Sequence, residues 1–339
     1  MTETQVGCSI MTNTASTPSD DRGPNWIERL IPIWQRVLQV PSVGVEDNFF
    51  DLGGDSTLAL ELFNEISRLY GRELPPVMIY HASTILALAG LLEKPSALRL
   101  PALVKLKPGS DPPVFITHGL GGTVMDFYQV LKHIRTASAI HGMQAQGIDG
   151  MEEPLDAIED MARCSLEAVR TLQPHGPYFL IGFSLGGLVT LEMAQQLTAE
   201  GEKIALLAML DSYPHINHLP AVQRARLVVQ QIRYRISRKK TVNGNQSLND
   251  RLSPTMQRFR ERARLALGRY QPRYYPGTIR FVRAADPTDF PSDPVAIWKH
   301  LAKEFLVDTV PGDHLGIMTT HYEELANALS RYLSEALPS

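Results

Sequence analysis

Cysteine is nearly absent from this 339-residue chain, with only Cys8 and Cys164, far apart in sequence. A disulfide framework is thereby excluded, and so is a cysteine-built metal cluster, so a reducing compartment fits. Long hydrophobic runs are missing too: no apolar stretch approaches the ~20 residues that a membrane-spanning helix needs. Charge of one sign is scarce, and a formal net charge of -3 gives no general affinity for nucleic acid or a membrane surface. The opening residues, MTETQVGCSIMTNTASTPSDDRGP, have neither the basic start nor the continuous apolar segment of an export signal. The expectation is a soluble cytoplasmic protein with a disordered Ser/Thr/Asp-rich leader over residues 1–23.

Single cores rarely grow past about 250–300 residues, so a small domain followed by a larger one is expected. From Trp26 to about Lys94 the pattern is helical. NWIERLIPIWQRVLQV spaces apolar residues along one helix face, STLALELFNEISRLYG repeats the theme until Gly71 ends it, and a further helix begins near Ser83. A bundle of three or four helices over residues 24–97 follows. The stretch 95–113 contains five prolines and marks the boundary, with a linker at 98–100.

Beyond residue 101 the period changes. VFITHG, AIHGMQA, YFLIGF, IALLAMLD, TIRFVRAAD and EFLVDTVPGDH are short strand-like runs, separated by helical candidates such as PLDAIEDMARCSLEAVRTL and LGGLVTLEMAQQL. Alternating strands and helices imply an α/β domain over 101–339 with a mainly parallel sheet covered on both faces. The interval 213–277 is too long for an ordinary connection and has helical periodicity, so it reads as an inserted helical lid. That insertion holds fourteen Lys and Arg against two acids, whereas residues 26–97 hold nine acids against five bases. The two segments are expected to attract one another.

Two serines stand out. In YFLIGFSLGGLVTLEMA an apolar strand runs into Gly182-Phe183-Ser184-Leu185-Gly186 and then a helix. This strand, tight turn and helix is the arrangement that lifts a serine hydroxyl above a sheet as a nucleophile. Such a serine needs a histidine to take its proton and an acid to orient the histidine. Of five downstream histidines, only His314 follows the last strand in a Gly-Asp-His loop; His215, His218, His300 and His321 fall elsewhere. The acid has two seats at strand ends, Asp211 and Asp286, which the residues alone do not separate. The oxyanion of the tetrahedral intermediate needs donors. The Leu185 amide is one, and the glycine-rich HGLGG loop over residues 118–122 offers Leu120 as the other. His118 is expected to shape that loop and not to act as a base. The second serine, Ser56 in DNFFDLGGDSTLALEL, starts a helix whose N-terminal amides favour an anion.

DNFFDLGGDSTLALEL resembles the phosphopantetheine-attachment motif of carrier domains in nonribosomal peptide synthetases. FITHGLGG, GMQAQGIDG, IGFSLGG, MLDSYP and PGDHLGIM resemble, in that order, the motifs of type I thioesterase domains that end peptide and polyketide synthases. Together the likeness covers about 24–339. It implies an α/β hydrolase fold with a helical lid, preceded by a small all-α four-helix carrier domain. It implies 4'-phosphopantetheine covalently attached to Ser56, a catalytic set of Ser184, Asp211 and His314, and no metal. Because the resembling thioesterases seat their acid at the Asp of LDS, it favours Asp211 over Asp286.

The implied activity is release of an acyl or peptidyl chain, held as a thioester on the arm, through an acyl-enzyme that ends in hydrolysis or cyclisation. Implied partners are upstream synthetase modules acting in trans, a phosphopantetheinyl transferase and the acyl or peptidyl thioester, with no nucleic acid and no membrane. Two other readings remain: an editing thioesterase, disfavoured by the fused carrier, and a carrier and docking module without catalysis, disfavoured by the Ser184, Asp211 and His314 set.

Overall fold

The computed structural model describes residues 25–72, 74, 76–80, 82–93, 101–238, 254–286 and 290–337. The leader read at 1–23, the linker at 98–100 and Cys8 lie outside the described residues.

The first helices are α1 (Trp26–Leu38), α2 (Ser56–Tyr70) and α3 (Ile85–Glu93). Asn25 caps α1 by accepting from the Glu28 amide, and the helix runs through Pro32 to bury Trp26, Leu30, Ile33, Trp34, Val37 and Leu38. Asp55 caps α2, and Gly71, in the left-handed region at φ 63°, closes it. For α3 the cap is Thr84, whose hydroxyl accepts from the Ala87 amide, one residue beyond the expected Ser83. The fourth element is a five-residue 3-10 turn, Pro76–Tyr80, in place of a fourth α-helix. Its core is aromatic at the centre, where Trp34 meets Phe49 edge-on at 5.2 Å.

The second part contains α4 (Tyr128–His133), α5 (Ile158–Leu172), α6 (Leu185–Ala199), α7 (Ala221–Arg238), α8 (Pro254–Arg269), α9 (Pro294–Trp298), α10 (Gly316–Thr319) and α11 (Tyr322–Ala336). Its strands are β1 (Leu103–Lys107), β2 (Ser110–Thr117), β3 (Ser138–Met143), β4 (Tyr178–Phe183), β5 (Ile204–Leu210), β6 (Tyr275–Ala284) and β7 (Ala302–Val310). They form one seven-stranded sheet in the order β1-β3-β2-β4-β5-β6-β7. Every pairing is parallel except β1 with β3.

Successive residues of the central strands feed two cores, as a two-layered covering requires. Tyr178 and Leu180 of β4 pack towards α5 and α6, while Phe179, Ile181 and Phe183 pack towards α4 and α11. Each fully buried side chain of this kind contributes about 2–3 kcal/mol. The boundary stretch needs one correction, because β1 and the start of β2 lie inside the proline-rich segment 95–113. The inserted segment contributes α7 and α8, and its last residues, from Tyr275, already belong to β6.

The helical part rests on the sheet part through aromatic contacts. Phe50 stacks on Tyr128 at 4.3 Å, and Met125 is buried within the carrier-side core. The contacts described at this junction are apolar and aromatic. The lid's arginines instead reach the sheet domain's own acids: Arg262 and Arg269 pair with Asp156, and Arg273 with Glu192. Among the described residues no ion pair joins the lid to residues 25–93; the side chains of Arg233, Arg235, Arg238, Lys239, Lys240 and Arg251 of the lid lie outside those residues.

Candidate active site

Ser184 occupies the sharp bend between β4 and α6 at φ 54° and ψ -117°, a conformation that side-chain-bearing residues adopt only under strain. Glycines make the bend possible. A methyl group at Gly182 would lie 2.2 Å from the Gly186 carbonyl oxygen, and one at Gly186 would lie 2.3 Å from that of His118. The Ser184 amide is tied to the Leu210 carbonyl at 2.9 Å, which fixes the bend against the neighbouring strand.

His314 reaches the serine from the loop after β7. Gly312 at φ 94° turns that loop, and Asp313 accepts from the Gly316 amide at 2.7 Å. His314 Nδ1–H donates to Asp211 Oδ2 at 2.8 Å. Nε2 is thereby left to accept from the Ser184 hydroxyl at 3.0 Å. Asp211 ends β5 with φ 44° and is 2% exposed. Its Oδ1 accepts from the Ala284 amide at 3.2 Å, so both carboxylate oxygens are held.

The structure therefore brings Ser184, His314 and Asp211 together and leaves Asp286 apart. Asp286 is exposed and reaches the histidine loop through its backbone alone, donating to the Gly312 carbonyl at 3.0 Å. The other histidines have different partners. His218 meets the Gly268 carbonyl, His215 caps a short 3-10 turn and His321 faces Glu324.

Leu185 is the first residue of α6, so its amide is among those at a helix start with no partner inside the helix. Leu120 sits in the loop that faces the bend: a methyl group on neighbouring Gly119 would lie 3.6 Å from Ser184 Cβ. His118 is buried, its Nδ1 lies 2.7 Å from the Gly119 carbonyl, and burial lowers its pKa to about 4. A neutral ring bonded to its own loop shapes that loop, in keeping with the expectation.

Three further side chains enter this site: Phe183, the variable position between Gly182 and Ser184, and Phe290 and Asp126, which belong to no motif. The rings of Phe183 and Phe290 stack on the His314 ring at 4.8 and 4.0 Å, shielding it from water. The Phe290 carbonyl accepts from Gln230 of lid helix α7 at 2.8 Å. The third is Asp126, a half-buried acid in the 3-10 turn Val124–Phe127 that follows the 118–122 loop. Burial raises its pKa to about 6, and His314 acts in the opposite direction.

Ser56 opens α2, but the helix cap is Asp55, whose carboxylate accepts from the Thr57 and Leu58 amides at 2.9 Å each. The glycines before it have local reasons. Gly53 adopts φ 92°, and a methyl group on Gly54 would collide with the Phe49 ring at 2.3 Å. Capping is thus assigned to the neighbouring acid. A serine at the first position of a helix suits a phosphoester, because the backbone dipoles there favour negative charge.

A serine, histidine and carboxylate aligned above the C-terminal ends of a parallel sheet define a protein of the serine hydrolase class. Residues 112–333 match the family described as Thioesterase domain, and residues 28–92 match the Phosphopantetheine attachment site. The chain belongs to the thioesterase domain family and carries a phosphopantetheine attachment site before it.

Over 208 residues it is 40% identical to a dimodular nonribosomal peptide synthase of Bacillus subtilis (strain 168), covering 60% of this chain and 9% of that protein. Over 183 residues it is 36% identical to an indigoidine synthase of Dickeya dadantii (strain 3937), covering 54% of this chain and 12% of that protein. The chain thus spans only a small part of these relatives' length. Among solved structures, a four-domain nonribosomal peptide synthetase bound to AMP and glycine aligns over 97% of this chain and 27% of its own, at TM-score 0.60 and 23% identity. The NocB thioesterase domain of the nocardicin cluster aligns over 69% of this chain and 99% of its own, at TM-score 0.53 and 24% identity. Both likenesses concern the fold.

Proposed function

We propose that this protein releases an acyl or peptidyl chain from its own carrier domain through an acyl-enzyme on Ser184. The observation that carries the reading is the aligned pair of hydrogen bonds in which Ser184 donates to His314 at 3.0 Å and His314 donates to Asp211 at 2.8 Å. Ser56 is the attachment point for 4'-phosphopantetheine, whose thiol holds the chain as a thioester. His314 Nε2 takes the Ser184 proton as Oγ attacks the acyl carbon, while Asp211 fixes the imidazole tautomer and stabilises the imidazolium. The amides of Leu185 and Leu120 hold the oxyanion. His314 then returns its proton to the departing sulfur, leaving the chain esterified to Ser184. In the second half His314 activates water, or a hydroxyl or amine of the chain itself, and the product leaves as an acid, lactone or lactam.

Tethering the arm beside the catalytic centre replaces a bimolecular encounter with an intramolecular one at high effective concentration. The aromatic junction of Phe50 with Tyr128 supports this, because it joins the carrier to the segment next to the 118–122 loop. In this reading upstream synthetase modules of the peptide or polyketide type deliver the chain, a phosphopantetheinyl transferase loads Ser56, and the work takes place in the cytoplasm. No helix among the described residues is long and apolar enough to cross a membrane.

The test is release of acyl groups from the loaded carrier, followed by intact-protein mass. Ser184→Ala is expected to abolish release while the carrier remains acylated, and Ser56→Ala to abolish phosphopantetheine loading. A Ser184→Ala protein that releases product at the parent rate would overturn the assignment.

A further inference from the structure

Asp126 is an acid that the mechanism above does not use, although it stands within the site. A methyl group on Gly121, in the middle of the 118–122 loop, would lie 3.8 Å from Asp126 Oδ2. The carboxylate is near enough to His314 for their charges to interact. Its sequence neighbours face the other way: Met125 is buried in the carrier-side core and Tyr128 stacks on Phe50. Asp126 therefore stands between the carrier junction and the loop that faces Ser184. Among the described residues it makes no hydrogen bond and no ion pair.

Such a carboxylate is unfavourable twice over. It is partly removed from water without a partner, and it adds negative charge beside the place where the oxyanion forms, opposing the reaction there. A cation supplied with the substrate removes both objections at once, pairing with the carboxylate and cancelling its field at the oxyanion.

We propose that Asp126 is a specificity residue that selects acyl chains carrying a protonated amino group close to the thioester carbonyl. This deepens the proposed thioesterase reading and rests on it. The substrate class is then an aminoacyl or peptidyl chain with a free primary amine, on a side chain or at a chain end folded back towards Ser184. Such an amine, once deprotonated, is also a candidate nucleophile for lactam formation at the acyl-enzyme.

The experiment uses the full chain and N-acetylcysteamine thioesters in matched pairs: glycyl, β-alanyl and 6-aminohexanoyl groups, each with a free amine or an N-acetyl cap. Thiol release gives kcat/KM for both members of a pair. The wild-type protein should prefer at least one free-amine chain over its capped partner by about tenfold or more. Asp126→Asn should lower that ratio by about tenfold, and Asp126→Glu, which keeps the charge, should hold most of it. A ratio unchanged in Asp126→Asn, with both members of a pair slowed alike, would assign Asp126 to His314 instead and overturn the proposal. Absence of preference in the wild type would overturn it too. If the wild type releases thiol from none of the thioesters, although phenylmethylsulfonyl fluoride sulfonylates Ser184, the thioesterase reading itself fails and the specificity falls with it.

Discussion

His118 and Asp126, one on each side of the glycine loop that faces Ser184, are shifted by the same cause in opposite senses. Burial disfavours the charged form of each, lowering His118 to about 4 and raising Asp126 to about 6. The consequences for stability have opposite signs. His118 has a folded pKa below its unfolded value of 6.5, so its contribution is present above that value and is lost as pH falls towards 4. Asp126 has a folded pKa above its unfolded value of 3.8, so the native state gains stability as pH falls from about 6 towards that value. A shift of about two pH units corresponds to roughly 3 kcal/mol, an upper figure for a half-buried group. The two effects offset one another in the wild type. In Asp126→Asn the His118 loss stands alone, so the variant should destabilise more steeply than the wild type between pH 6 and 4. Thermal melts at half-unit pH intervals measure this; parallel curves for the two proteins would refute it.

Among the elements, α6 has the least freedom, being buried along most of its length, from Leu185 to Gln195 without a break. Its first turn lies directly against β2, where a methyl group on Gly186 would come within 2.3 Å of the His118 carbonyl and 2.6 Å of that of Thr117. Gly186→Ala should therefore push the 118–122 loop away from Ser184, costing about 1–3 kcal/mol of stability as an overpacked site. It should also slow sulfonylation of Ser184 by phenylmethylsulfonyl fluoride more than a remote substitution of equal stability cost. Melts and sulfonylation rates together check it. The GxSxG signal was legible because burial on both faces writes β4 as the continuous apolar run YFLIGF. By contrast β1, LVKLK, was absorbed into the proline-marked stretch 95–113: as an edge strand it is short, and Lys105 and Lys107 interrupt its apolar residues. Choosing between Asp211 and Asp286 was beyond the residues alone, since both follow strand ends that pair side by side, Leu210 with Val282. Their difference lies in the backbone, where φ 44° at Asp211 accompanies a carboxylate held between His314 and Ala284. Asp126 gave no signal either, because an isolated acid in a 3-10 turn carries no motif, and only the folded loop sets it beside His314.

At the scale of the whole molecule, composition suggested an electrostatic partnership between basic lid and acidic carrier, and the lid arginines among the described residues pair elsewhere. The lid's arginines meet Asp156, Glu153 and Glu192 on the sheet domain, and the carrier contact is made by Phe50 against Tyr128 with Met125 beside them. Exposed ion pairs weaken with salt, whereas apolar and aromatic contacts do not. Release from the tethered carrier should therefore change little, relative to cleavage of a small free thioester, when salt is raised from low to about 0.5 M. Tyr128→Ala should slow release from the loaded carrier by severalfold, while its effect on the free thioester is smaller, because the stack is worth about 1 kcal/mol and acts only on the tethered chain. The measurement is a pair of single-turnover rates, tethered and free, for each protein at two salt concentrations. A wild-type tethered rate that collapses with salt while the free rate holds would restore the electrostatic partnership, and equal slowing of both rates in Tyr128→Ala would assign that ring to the catalytic loop instead of the carrier junction.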